Sequence, residues 1–176
     1  MERLRMTFHP SQCGSNIYMA QINSGPNNHD VDSCRRHSRG CPFNCEFCDI
    51  IEIYGRRPRT KAVAQVFTES DRLYAAGWRG PFFIVDDNFI GHKVRVRDLL
   101  LAMADWQRAH GYPFRLITEA SLNLADDREL LQGMKDAGLT SVFLGIETPD
   151  ESSLKATNKL QNTRRNLLES VAAIQE

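Results

Sequence analysis

From Lys61 to the end the sequence alternates short apolar runs with amphipathic stretches, and this alternation limits the fold more than any other feature. The apolar runs "PFFIVDDN", "FRLITEAS" and "TSVFLGIET" begin near Pro81, Phe114 and Thr140, so one strand plus one helix recurs about every 30 residues. Parallel strands need a long crossover, and helices of this length supply it. The pattern therefore predicts an α/β chain with a parallel sheet and right-handed crossovers. Helices are predicted at "KAVAQVFTESDRLYAA", stopped by Gly77, and at "VRDLLLAMADWQRAH", with Leu99, Met103, Trp106 and His110 on one face. "ADDRELLQGMKDAG" predicts a third, with Asp126 as N-cap, Glu129 three residues on as its capping-box partner and Gly138 as the stop. "TRRNLLESVAAIQE" predicts the last.

Each predicted strand ends in acid: Asp86 and Asp87, then Glu119, then Glu147. In parallel α/β sheets the C-terminal ends of the strands share one rim, and ligands bind there. The plainer role for each acid is a turn or a helix cap, and for Asp86 and Asp87 the cap of the following helix.

Upstream of this regular part, "RGCPFNCEFCDI" sets Cys41, Cys45 and Cys48 in a Cys-x-x-x-Cys-x-x-Cys spacing. A disulfide needs two cysteines and a structural zinc ion usually takes four ligands, so three thiols are an unusual count. Two metal readings are open. Zinc would recruit Cys34, His37 or His92 as a fourth ligand. An iron–sulfur cube held by three thiolates would leave one iron open to a substrate or cofactor. The remaining cysteines, Cys13 and Cys34, sit in polar sequence without pattern and read as incidental thiols.

Lys plus Arg total 22 and Asp plus Glu total 22, a balance that gives no global reason to expect nucleic acid or an anionic membrane. No apolar run approaches the ~20 residues of a membrane span, and "MERLRMTFHP" lacks a signal-peptide core, so a cytoplasmic protein is expected. The basic run Arg56, Arg57, Arg59 and Lys61 reads as a solvated connector, with an anionic substrate group or a cofactor carboxylate as the functional alternative. His110 reads as the last turn of its helix, where a cation suits the dipole.

The cysteine spacing with an aromatic, Phe47, before the last cysteine resembles the signature of the radical S-adenosylmethionine superfamily. "SRGCPFNCEFCDIIEIYGRRPRTK", "VDDNFIG", "FRLITEASLNLADD" and "SVFLGIETPDESSLKATNKLQNTRRNLLE" resemble the radical domain of its cobalamin-associated subgroup, which includes the hopanoid methylases. The resemblance runs from Ser38 to Glu176. It implies the N-terminal part of a parallel (β/α) partial TIM-like barrel, about four βα units and incomplete. It further implies a 4Fe–4S cluster on Cys41, Cys45 and Cys48, whose open iron takes the methionyl amine and carboxylate of S-adenosylmethionine. Phe47 would lie near the adenine. Asp86, Asp87 and Asn88 would face the methionyl ammonium, and Glu119 and Glu147 the ribose hydroxyls or the amine. The implied chemistry is reductive cleavage to a 5′-deoxyadenosyl radical, with C-methylation of an unactivated carbon as the parent reaction. The implied partners are a small-molecule substrate, with a lipid-like one as an option, and an electron donor such as flavodoxin or ferredoxin.

The chain departs from that pattern in three places. Residues 1–37 read as an irregular segment, loop or disorder, with one short strand at "NIYMAQI" and no Asp-x-His-x-x-Gly of cobalamin domains; the radical domain is expected over 38–176. "HDVDSCRRH", where the strand entering the cysteine loop belongs, is polar where a buried parallel strand reads as Val, Ile and Leu. The chain also ends where further strands of the barrel are expected. Three alternatives follow: a truncated, non-functional remnant, a small zinc-binding module, or a radical methylthiotransferase-like enzyme.

Overall fold

The computed structural model describes residues 33–176. Most of the expected irregular segment, and the strand expected at "NIYMAQI", lie outside the described residues. Four strands form one parallel sheet in the order β1 (Ser33–Arg35), β4 (Gly80–Ile84), β5 (Phe114–Ala120), β6 (Leu139–Leu144). Phe82 pairs with Ser33 on one side and Leu116 on the other, and Thr118 pairs with Val142. The α/β class and the parallel sheet are as the sequence predicts. The strand into the cysteine loop, expected to be spoiled by its polar residues, is present: β1 runs beside β4, and Val85 N–H extends the ladder by donating to Arg35 O at 2.8 Å. Among the described residues β1 has a sheet neighbour on one side only, so it escapes the apolar demand placed on a central strand.

Strand parity sorts the side chains. In β5, Phe114, Leu116, Thr118 and Ala120 are buried on one face, while Ile117 and Glu119 lie half-buried on the other. The buried face meets Leu99, Leu100 and Met103 of α3 (Lys93–Ala109) and Leu130 and Met134 of α4 (Arg128–Asp136). Each such side chain removed from water contributes about 1.5–3 kcal/mol. Phe82 and Phe114 stack at 5.3 Å, and Trp106 stacks on Phe114 at 5.2 Å and on His110 at 4.1 Å. The opposite face carries Phe83 and Phe143, their rings 5.7 Å apart, with Glu119 beyond Ile117 at the strand's end.

Helix α2 (Val63–Ala75) and α3 fall where the periodicity places them. Three local readings need correction. The N-cap of α4 is Asp127, which accepts from Leu130 N–H at 3.1 Å; Asp126 is consumed in a 3-10 turn over Leu122–Asp126. The last helix, α6 (Leu167–Gln175), starts behind Asn166 as N-cap, several residues later than expected. Short elements too brief to show a period were missed: α1 (Ile50–Tyr54), α5 (Glu151–Ala156) and a 3-10 turn over Leu160–Asn162. Asp150 caps α5, and its bonds from the Ser153 and Ser152 hydroxyls hold its carboxyl down at about 2. Among the described residues no helix is long and apolar enough to cross a membrane.

Candidate cofactor site at the strand ends

The cysteines sit on an excursion closed at its base. Ser38–Arg39 (β2) pairs antiparallel with Arg59–Thr60 (β3), and Lys61 N–H donates to His37 O at 2.8 Å. At the neck Gly40 has φ +97°, and a Cβ there would stand 2.7 Å from Gly55 O, so the chain can cross at this point only as glycine. Cys41 N–H donates to the same carbonyl at 3.3 Å.

The two acids after β4 fasten this neck. Asp86 accepts from His37 N–H at 2.7 Å, Ser38 N–H at 2.9 Å and Ser38 Oγ at 2.6 Å, with His37 Nδ1 3.3 Å away. Asp87 accepts from Gly40 N–H at 2.9 Å and lies 3.6 Å from Arg36 Nη1. Asp86 therefore neither caps a helix nor opens on the rim: it is 1 % exposed, with both oxygens committed to the segment that delivers Cys41. A buried carboxylate is tolerable when donors surround it in this way.

Asn88, next in line, lies under the first cysteine. Its amide nitrogen is 3.8 Å from Cys41 Sγ and 3.1 Å from Ser121 Oγ, which follows β5. Two strand ends are thus linked beneath the loop. Cys41 and Cys48 are half-buried and Cys45 is buried, all as free thiols. Burial pushes the Cys41 thiol up; the Phe43 backbone and Asn88 amide oppose this, while the neighbouring Cys45 and Cys48 add to it.

Glu119 is half-buried at the end of β5 and has no hydrogen-bond donor among the described residues. Burial raises its carboxyl above the ordinary range, Asp87 and Asp86 raise it further, and Arg36 opposes them. Glu147, past β6, has a left-handed backbone (φ 65°) and forms an ion pair with the Nζ of Lys159, a largely buried lysine. The same Nζ lies 5.4 Å from the ring centroid of Phe47, which is 53 % exposed. The structure thus brings together the cysteine loop, Asn88 and Glu119, with Glu147 and Phe47 joined through Lys159.

The zinc alternative loses two of its three candidate fourth ligands, His37 and His92. His37 is turned to Asp86, and His92 is exposed as the N-cap of α3, accepting from Arg95 N–H at 3.5 Å. Among the described residues no three His, Cys, Asp or Glu side chains converge as ligands of one ion would. The ligands of a cube-shaped cluster sit on separate iron corners and need not meet at a point. Three of the four basic residues are engaged locally: Arg56 donates to Pro42 O at 3.3 Å, Arg59 to Tyr54 O at 3.3 Å, and Lys61 pairs with Glu69 at 2.6 Å. Sequence reasoning missed Arg36, Ser38, Ser121, Lys159 and Gln161, because each acquires its role only from a partner far along the chain.

Comparison with known proteins agrees with this geometry. The chain is 59 % identical over 137 residues to an uncharacterized methyltransferase of Synechocystis sp., covering 78 % of this chain and 26 % of that protein. It is 45 % identical over 139 residues to the hopanoid C-2 methylase of Rhodopseudomonas palustris, covering 79 % and 26 %. The chain therefore spans about a quarter of the length of these curated relatives. In fold it is similar to the radical S-adenosylmethionine methyltransferase TsrM of Kitasatospora setae, solved with cobalamin and a [4Fe-4S] cluster bound. The TM-score is 0.70 at 18 % identity, over 82 % of this chain and 28 % of that one. The Radical SAM superfamily profile matches residues 36–176, from Arg36 at the neck of the cysteine loop through every strand end that faces it, and the chain belongs to that superfamily.

Proposed function

We propose that the chain supports radical S-adenosylmethionine chemistry, with methylation of an unactivated carbon of a small molecule as the parent reaction. The observation that carries this reading is the cysteine loop: three free thiols on one excursion, pinned by two strand-end acids, with a carboxylate nearby that has no donor among the described residues. Cys41, Cys45 and Cys48 are a soft donor set that fits a 4Fe–4S cluster and leaves one iron for the cofactor. The superfamily uses this cluster together with S-adenosylmethionine, and the relatives named as methylases favour transfer of a methyl group.

A cluster held by Cys41, Cys45 and Cys48 would supply one-electron reduction of S-adenosylmethionine when bound, the source of the superfamily's radical chemistry. The protein's own residues orient and shield. Glu119 and Asp87 supply negative charge for the methionyl ammonium, and Asn88 holds the first cysteine in place. Asp86 acts from below, through the loop. Phe47 offers an exposed ring for the adenine, and Glu147, once released by Lys159, can accept from ribose hydroxyls. By likeness to the hopanoid methylase the substrate is lipid-like, and the TsrM structure, solved with cobalamin bound, makes cobalamin the candidate second cofactor of the parent reaction. A flavodoxin- or ferredoxin-type donor supplies the electron.

The test is anaerobic reconstitution with iron and sulfide, followed by assay of 5′-deoxyadenosine formed from S-adenosylmethionine under a strong reductant. The expected result is about four irons per chain and cleavage. Cys41, Cys45 and Cys48 replaced together by alanine should abolish both. Absence of bound iron from the unsubstituted chain would leave it a remnant of the family's chemistry.

A further inference from the structure

We propose that Gln161 tunes the cluster: its amide donates to the sulfur of Cys45, holds that ligand and raises the potential at which the cluster accepts an electron. The proposal rests on the assignment of Cys45 as a cluster ligand. Gln161 Nε2 lies 3.4 Å from Cys45 Sγ, within reach of an N–H to sulfur bond, although the two residues are 116 positions apart. Both are buried, Gln161 at 6 % exposure and Cys45 at 9 %, so water has little access to substitute for either partner.

The donor is held on its mark from several sides. Gln161 lies in the 3-10 turn Leu160–Asn162. Just before that turn, Thr157 O accepts from Glu46 N–H at 2.9 Å, stitching the segment to the residue that follows Cys45. Just after Gln161, the Asn162 amide donates to Gly145 O at 2.8 Å and Ile146 O at 3.0 Å, which ties the turn to the end of β6. Lys159 in the same segment pairs with Glu147. These tethers fix the backbone that carries Gln161 beside Cys45. The three cysteines are served unequally: the Asn88 amide stands off Cys41 at 3.8 Å, and Cys48 has no side-chain donor among the described residues.

A donor aimed at a ligating thiolate draws electron density from sulfur and favours the more negatively charged, reduced cluster. In a buried setting this interaction is stronger than in water. Removing the donor should make the cluster harder to reduce without removing a ligand.

The experiment compares the reconstituted wild-type chain with Gln161→Leu and Gln161→Glu by iron analysis and by redox titration followed by electron paramagnetic resonance. Gln161→Glu keeps the size and shape of the side chain but sets an acceptor against the sulfur. The expected result is full iron content, with the one-electron reduction equilibrium about tenfold less favourable in Gln161→Leu, equivalent to about 59 mV, and lower still in Gln161→Glu. Unchanged potentials with full iron overturn the tuning role alone. Loss of iron with an unchanged potential in the clusters that remain shows a packing role and overturns it too. A wild-type chain without an iron–sulfur signal overturns the cluster assignment, and the tuning role with it.

Discussion

Glu119 shows at the scale of one residue how a site differs from a fold. Its carboxyl is half-buried with two acids nearby, and a raised value means that the folded chain keeps the proton where the unfolded chain has released it. Stability from this group therefore falls as pH rises, from the ordinary carboxylate value up to the raised one. Glu119→Gln should remove that slope. The variant should gain on the wild type in denaturant midpoint as pH increases through the window, and bind S-adenosylmethionine less tightly at neutral pH. A constant difference in midpoint across the titration would contradict this account of Glu119. The residue was legible in the sequence as an acid at a strand end. Its poise was not, because Asp86, Asp87 and Arg36 reach it only across the sheet.

At the scale of elements, the joint between β4 and the cysteine loop matters most. Asp86 and Asp87 stand one after the other, yet both hold residues preceding Cys41 rather than a helix end. Asp86→Ala leaves two backbone N–H groups and a hydroxyl buried without an acceptor, and should cost about 3 kcal/mol. Urea unfolding measures that loss, and iron analysis should show poor retention of the cluster. Stability within about 0.5 kcal/mol of wild type would mean that water replaces the carboxylate. The same scale explains which elements the sequence revealed. Helices α2 and α3 and strands β4 to β6 are long enough to express a period of 3.6 or 2. The short α1 and α5, the 3-10 turns and the three-residue β1 are not, and they form because tertiary neighbours accept them. Asp127 rather than Asp126 caps α4 for a related reason: the preceding turn decides which of two adjacent acids stands at the boundary.

For the whole molecule, one edge of the sheet brings together the loop that follows β1 and the ends of the other three strands. A ligand that spans them should stabilise the folded state by mass action. The chain carrying a cluster, with S-adenosylmethionine at about 100 times its dissociation constant, should gain about 2.7 kcal/mol over the same chain without it. Thermal unfolding under anaerobic conditions reads this directly; no shift at saturating cofactor would place the binding determinants outside this chain. The sequence by itself determined the α/β class, the parallel direction of the strands and the three thiols, since each is written in local period or in contiguous spacing. Tertiary structure decided which acids hold the loop and which is left without a donor among the described residues. It also decided that Lys159 joins Glu147 to Phe47 and that Gln161 meets Cys45 from 116 residues away. Those pairings depend on where the crossovers set the strand ends in space, and a local pattern carries no record of that distance.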